Sequence, residues 1–267
     1  MNDREAAVMF GPVEPVFTVE ETEIVDGLRA RIYRPGPDAN LPILVYFHGG
    51  GWVVGSLDSH DGVARFLCRF APCIVISVAY RLAPEHAFPA ALEDAWLSTT
   101  WAVRCAVDAG WDANRLAVGG DSSGGNLAAV VARQARDRDL PLQLQLLIYP
   151  ALDLSAPARG ASDEYRYWVE KYLGPNVDSS QPDVSPLRAA DLRGVAPAVI
   201  FSCGLDPLRD QADAYVQRLQ EDGVAAVHHV FEGLIHGAFR MPAVLEGARD
   251  MLVTSAAALG RAFNLSR

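Results

Sequence analysis

The sequence predicts an α/β fold built on a mostly parallel, doubly wound sheet with an antiparallel N-terminal edge. Three observations carry this expectation. Short, largely apolar runs at 43–47, 74–78, 115–118, 142–149 and 199–203 have the composition of strands covered on both faces. Helical patterns lie between them, so strands and helices alternate along the chain. Glycine-rich turns follow the runs at 43–47 and 115–118, where loops leaving the carboxyl ends of parallel strands build binding sites.

Taken in order, residues 16–34 carry two short β patterns joined by a turn at Asp26 and Gly27. Leu28, Ala30 and Ile32 alternate with Arg29, Arg31 and Tyr33, the period of a strand buried on one face. The apolar run 43–47 stops abruptly at His48, Gly49, Gly50, Gly51 and Trp52. A helix is expected at about 60–70, then a strand at 74–78 and a proline-punctuated loop over 80–89. A long helix follows over 90–108, with Leu92, Ala95, Trp96, Thr99 and Val103 on one face. The strand at 115–118 turns through Gly119 to Asn126 into a helix beginning near Leu127. Another strand, 142–149, is stopped by Pro150. Residues 151–195 show weak periodicity, several aromatics and several prolines, the place for an inserted lid. A strand at 199–203, a helix started by Pro207, a strand at 225–231 and a closing helix over 243–263 complete the chain.

Size and charge narrow the function. With 267 residues, half of them hydrophobic, the chain is long enough for one α/β domain over 1–267. The formal net charge of −10 argues against nucleic acid or an anionic membrane as partner. Cys68, Cys73, Cys105 and Cys203 fall in or beside core segments without metal-ligand spacing and read as free thiols. Residues 1–5 lead into no apolar stretch of signal-peptide length, and no apolar run approaches the ~18 residues of a membrane helix. A cytoplasmic protein is the expectation.

The chemistry centres on Ser122. Strand, tight turn and helix with a serine at the apex form the Gly-x-Ser-x-Gly layout of a nucleophile elbow. Its glycines, Gly120 and Gly124, flank Ser122 because side chains there would collide with the neighbouring strand or helix. Ser122 should hold a strained backbone conformation, with the amide of Ser123 facing the same spot. Among six histidines, His236 follows the last strand in a short loop and is the base candidate. His48 reads as a loop organiser, His60 as a solvent-facing residue at a helix start, and His228 and His229 as structural. His86 is expected to make local hydrogen bonds. The orienting acid should follow the preceding strand, where Asp206 stands before Pro207. Asp206 also suits a helix cap, and Asp210 and Asp153 are alternative acids. Serine, then aspartate, then histidine is the chain order of the α/β-hydrolase triad. The bare amides of Gly49, Gly50 and Gly51, with that of Ser123, form a candidate oxyanion hole.

These residues resemble the hormone-sensitive-lipase-like esterases, the α/β-hydrolase family with a His-Gly-Gly-Gly oxyanion loop. The resemblance runs from about residue 28 onward. It rests on His48 to Trp52, Tyr80 to Glu85 with Phe88 to Asp94, Gly120 to Asn126, Asp206 to Asp210, and His236 with Gly237. It implies Ser122 as nucleophile, His236 as base, Asp206 as orienting acid, and Gly50, Gly51 and Ser123 as amide donors ahead of Gly49. The expected activity is hydrolysis of short-to-medium acyl esters through an acyl-serine, without metal or organic cofactor. Amidase, formamidase or acyltransferase chemistry on the same triad is the near alternative, and a non-catalytic small-molecule receptor the distant one. The segments before His48 and between Ser122 and Asp206 are shorter than is usual in the family. A reduced cap drawn from 1–15 and about 152–195 is therefore expected, with an open pocket walled by Trp52, Tyr80 and the aromatics of 165–172. A sheet-edge strand at the end of the chain suggests a homodimer.

Overall fold

Strand β3 (Ile43–Phe47) lies at the middle of an eight-stranded sheet whose order is β1-β2-β4-β3-β5-β6-β7-β8. The computed structural model describes residues 3–156, 158 and 160–265. The hairpin of β1 (Thr18–Val25) and β2 (Leu28–Arg34) forms one edge and runs antiparallel onto β4 (Ile74–Ala79). From β4 onward, through β5 (Leu116–Asp121), β6 (Leu144–Ile148), β7 (Ala198–Leu205) and β8 (Ala226–Ile235), neighbouring strands are parallel. The chain runs outward from β3 to β4, then crosses back to place β5 on the other side of β3. Connections leave these two neighbours in opposite directions, so a crevice opens at their carboxyl ends.

Alternation along β3 divides the core. Ile43, Val45 and Phe47 join one buried cluster, while Leu44 and Tyr46 join the other, as period-two side chains on a doubly covered strand must. Helices α3 (Ala90–Ala109), α4 (Ser123–Asp137) and α6 (Arg209–Glu221) contribute to the first cluster. Helices α2 (Asp61–Phe70) and α7 (Glu246–Ala262) pack against each other in the second. Helix α4 is the most enclosed of these, buried from Ser123 through Ala132. Small alanines along it let the helix lie close to the sheet.

Several elements depart from the sequence expectation. A helix, α1 (Asp3–Phe10), precedes the hairpin, and its Phe10 ring lies over Gly62 of α2. Helix α5 (Asp163–Leu173) occupies the stretch with weak periodicity. Tyr165, Trp168, Val169, Tyr172 and Leu173 recur at helical spacing on its inner face, with Asp163, Glu164, Arg166 and Glu170 exposed on the other, a short amphipathic stripe that the prolines and loops around it obscure. Its start is set by Ser162, whose Oγ accepts the Tyr165 N–H at 3.1 Å. Strand β8 continues through Glu232 and Gly233, which the sequence assigns to a loop. Leu205 still pairs with Ile235 beyond an irregularity after Cys203.

Candidate active site

The elbow is built where β5 meets α4. Ser122 has φ 56° and ψ −115°, a left-handed conformation that costs a non-glycine residue of order 1–3 kcal/mol. Hydrogen bonds across the sheet hold it there. The Ser122 N–H donates to Ile148 O at 2.8 Å, and Ala151 N–H donates to Ser122 O at 3.2 Å. Close packing explains Gly124, since a Cβ there would sit 1.9 Å from the Phe47 carbonyl oxygen. Asn126, one turn on, donates to Ala151 O at 2.8 Å and Val184 O at 2.9 Å, tying the loop after β6 to the elbow helix.

Three side chains far apart in sequence meet at this point. His236 Nε2 lies 2.8 Å from Ser122 Oγ, and His236 Nδ1 lies 2.7 Å from Asp206 Oδ2. A carboxylate can only accept, so Nδ1 carries the proton and Nε2 is left to accept from the serine hydroxyl. Asp206 is buried, and its other oxygen accepts the Leu208 N–H at 2.8 Å. It therefore caps the entry to α6 and orients the imidazole at once. The other acids are elsewhere. Asp210 is exposed within α6, and Asp153 pairs with Arg188 at 2.7 Å.

The loop after β3 turns sharply, with φ of 132° at Gly50, 60° at Gly51 and 60° at Trp52. Gly50 O accepts from Val53 N–H and Val54 N–H, while the amides of Gly50 and Gly51 have no acceptor among the described residues. Ser123 is the first residue of α4, so its N–H also lacks an intrahelical partner. Gly49 differs: its N–H donates to Asp121 Oδ1 at 2.9 Å. Three of the four amides proposed from sequence are thus unoccupied, and the fourth is engaged.

The cavity above Ser122 has a volume of 340 Å³ and is bordered by Gly50, Gly51, Tyr149, Tyr165, Trp168 and Met241 among others. Trp52 also borders it, but its ring is fully enclosed and stacks on Tyr172 of α5, 4.3 Å between centroids and 6° from parallel. Tyr80 does not wall this cavity. Its hydroxyl donates to His48 O at 2.7 Å and its ring stacks on His48 at 4.3 Å, so it is spent on shaping the loop. His60 is not solvent-facing but 1% exposed, with Nε2 at 3.2 Å from Asp121. An acidic partner on the next layer of structure draws it inward, which a helix-start pattern cannot reveal. The exposed His86 ring has no hydrogen-bond partner among the described residues, although its backbone N–H donates to Leu82 O. His48 is buried, and its Nδ1 donates to Gly49 O at 2.9 Å.

Sequence reasoning missed two residues here. Tyr149, the last residue before Pro150, has φ 35° and brings its ring to 4.7 Å from that of His236. The Tyr-Pro pair ending a strand was the available signal. Asp121, inside the elbow motif, is 1% exposed and collects several donors. Burial alone would raise its pKa, but His60, Arg240 and the Tyr46 hydroxyl together hold it below the ordinary carboxylate range. Burial lowers the His60 pKa, against the pull of Asp121, and takes that of His48 down to about 3.

Comparison with known proteins agrees with this geometry. Residues 44–240 match a family model described as the alpha/beta hydrolase fold. The carboxylic ester hydrolase LipN of Mycobacterium tuberculosis is 42% identical over 226 residues, 78% of this chain and 60% of LipN's length. The carboxylesterase NlhH of the same organism is 38% identical over 269 residues, covering 94% of this chain and 84% of NlhH. The solved structure of a hyperthermophilic esterase from the archaeon Pyrobaculum calidifontis superposes with a TM-score of 0.92 at 38% identity, covering 97% of this chain and 90% of that one. An unbroken hydrogen-bonded line from serine to histidine to aspartate, beside amides left bare by a glycine loop, accompanies these likenesses, and the chain belongs to the hormone-sensitive-lipase-like family of carboxylesterases with the α/β-hydrolase fold.

Proposed function

We propose that the chain is a serine carboxylesterase that hydrolyses short-to-medium acyl esters, with Ser122 as nucleophile, His236 as general base and acid, and Asp206 as the orienting acid. The carrying observation is the pair of hydrogen bonds at 2.8 Å and 2.7 Å that joins the three residues. In the first step Ser122 Oγ attacks the ester carbon while His236 Nε2 takes its proton. The carbonyl oxygen becomes negative and is received by the amides of Gly50, Gly51 and Ser123. Donors fixed in advance at such a site are each worth ~10²–10³ in rate. The imidazolium then returns its proton to the leaving alcohol. Water repeats the sequence on the acyl-serine and frees the acid. No step in this scheme calls for a metal or an organic cofactor.

A cavity of 340 Å³, with aromatic and aliphatic walls, supports a short or medium acyl group over a long one. No helix among the described residues is long and apolar enough to cross a membrane, which agrees with a small-molecule ester as substrate. The same triad would serve amide hydrolysis or acyl transfer, and the carboxylesterase relatives favour the ester. Among the described residues strand β8 pairs only with β7, and the unpaired backbone of this edge, with Val227 exposed on the strand, supports a homodimer through it.

The test is a p-nitrophenyl ester series of rising chain length, run beside matched anilides and Ser122→Ala. Turnover should peak within the short-to-medium esters, exceed that of the anilides and vanish in Ser122→Ala with the fold retained. Substantial turnover by Ser122→Ala would overturn the assignment. Sedimentation at micromolar concentration tests the dimer, and a monomer would remove it.

A further inference from the structure

The residue immediately before Ser122 is tied to the loop that carries the bare amides. Asp121 closes β5, and its Oδ1 accepts the Gly49 N–H at 2.9 Å and the Tyr46 hydroxyl at 2.8 Å. His60 Nε2 stands 3.2 Å from Oδ1 and 3.4 Å from Oδ2, and the Tyr149 hydroxyl 3.5 Å from Oδ2. Ser59 Oγ holds the far side of the His60 ring at 2.8 Å from Nδ1. Donors on β3, on the loop after it, before α2 and after β6 therefore converge on one carboxylate. The two shortest of these bonds, from the Gly49 N–H and the Tyr46 hydroxyl, share Oδ1, and the Gly49 N–H also lies 3.3 Å from His60 Nε2. The fit is close as well, since a Cβ on Gly49 would lie 2.4 Å from Asp121 Oδ2.

We infer that Asp121 is a positioning residue for the oxyanion loop, setting by its bond to the Gly49 amide where the Gly50 and Gly51 amides stand relative to Ser122 Oγ. On one side it is joined to the nucleophile by a peptide bond. On the other a single hydrogen bond reaches the residue before the two donors. One peptide bond and one hydrogen bond thus separate the nucleophile from the loop that carries the Gly50 and Gly51 amides. An error of ~1 Å in such an alignment can cost ~10² in rate. Asp121 touches no reacting atom, and the inference rests on Ser122 being the nucleophile.

The consequence belongs to the transition state, because the amides meet full negative charge only there. Asp121→Asn removes the negative charge and leaves a single accepting oxygen, weakening the hold on the Gly49 N–H and the Tyr46 hydroxyl. Its kcat per active site should fall about 10–100-fold while KM changes by less than about threefold. Active sites are counted by fluorophosphonate titration, so a variant that merely folds poorly loses titratable sites and not kcat per site. Inhibition by an alkyl trifluoromethyl ketone gives a second reading. Ser122 Oγ adds to its carbonyl carbon, the serine proton passes to His236, and the carbonyl oxygen becomes an oxyanion at the amides. Its Ki should rise by the same factor as kcat falls. Gly49→Ala, which forces the loop away from the carboxylate, should act in the same direction if Asp121→Asn does not accumulate. Wild-type kcat per titrated site in both variants, or a loss confined to KM, overturns the inference. A wild-type rate in Asp121→Asn beside a dead Ser122→Ala removes this role alone, whereas an active Ser122→Ala removes the nucleophile reading beneath it.

Discussion

Asp206 performs two tasks with two oxygens, and replacing it by asparagine sets those tasks against each other. Oδ1 accepts from the Leu208 N–H at 2.8 Å and Oδ2 from His236 Nδ1 at 2.7 Å. Asparagine offers one acceptor and one NH₂. If its oxygen keeps the cap, the NH₂ faces Nδ1. The imidazole must then shift its proton to Nε2, where it cannot accept from Ser122. If the side chain flips, the working tautomer survives but two donors face each other at Leu208, which costs ~1–3 kcal/mol when buried. That penalty leaves only ~1–20% of molecules in the working tautomer. Those molecules also lack the charge that strengthens the bond to the imidazolium, a further ~1–2 kcal/mol. Together the two effects amount to ~2–5 kcal/mol, or about 10²–10³-fold in kcat at its centre, with KM little changed. Stopped assays on a p-nitrophenyl ester read the rate, and urea unfolding reads the cap. Asp206→Ala should be as inactive and lose ~0.5–2 kcal/mol of stability through the missing cap. An Asp206→Asn variant that kept a third or more of wild-type kcat would refute this account of the triad.

Three further outcomes follow from the geometry. His48 has a pKa lowered from the ordinary 6.5 to about 3, chiefly by burial, so the folded chain keeps it neutral while the unfolded chain protonates it below 6.5. Its share of stability is therefore lost as pH falls from 6.5 toward 3, ~1.4 kcal/mol per pH unit and ~2 kcal/mol by about pH 5. Urea unfolding of wild type and His48→Asn at neutral pH and at about pH 5 should show that difference; equal pH dependence would contradict it. Trp168→Ala should extend the acyl-length optimum, each extra enclosed methylene adding ~0.8 kcal/mol, or about fourfold in kcat/KM. An unchanged optimum in the ester series would place the acyl group elsewhere. Gly51→Ala should lower kcat, because its Cβ would stand 2.4 Å from Trp168 Cε3 at a backbone φ of 60°. Adding Trp168→Ala should restore part of that loss, and strict additivity would argue against a steric cause.

Much of the fold was legible because its strands and turns obey local rules. The apolar run 43–47 has the length and composition of a doubly covered strand, and Gly120 and Gly124 around Ser122 mark a turn with no room for side chains. Ser122, Asp206 and His236 were legible from their order and from the strands they follow, and they meet within hydrogen-bond distance. The residues misread are those whose surroundings are set by distant segments. His60 opens a helix and looks solvated, yet Asp121, 61 residues away, lies against it in the core. Tyr80 sits in a proline-bounded loop suited to a pocket wall, but His48 offers both a ring and a carbonyl to hold it. Helix α5 was obscured for a further reason: its stripe of Tyr165, Trp168, Val169, Tyr172 and Leu173 belongs to a helix of only 11 residues inside a long proline-punctuated stretch.

The division between legible and obscured residues has a functional counterpart. Ser122 and Tyr149 carry positive φ directly after β5 and β6, where cross-sheet hydrogen bonds at Ser122 and from Tyr149 N–H to Phe201 O hold the strain, and Trp52 does so in the loop after β3, where its carbonyl accepts the Ala83 N–H. Such conformations persist only where the surroundings over-determine them, so this side of the pocket is rigid and tolerates little change. The opposite wall is α5, exposed on one face and joined to the oxyanion loop through the stacked pair of Trp52 and Tyr172 and through Trp168 over Gly51. Substitutions on the exposed face of α5 sacrifice no buried hydrogen bond and little apolar contact. The chemistry we propose thus rests on residues whose conformations the sheet's carboxyl edge holds in place. The exposed face of α5 can vary without disturbing that edge, whereas Tyr165, Val169, Tyr172 and Leu173 of the same helix are held by the core.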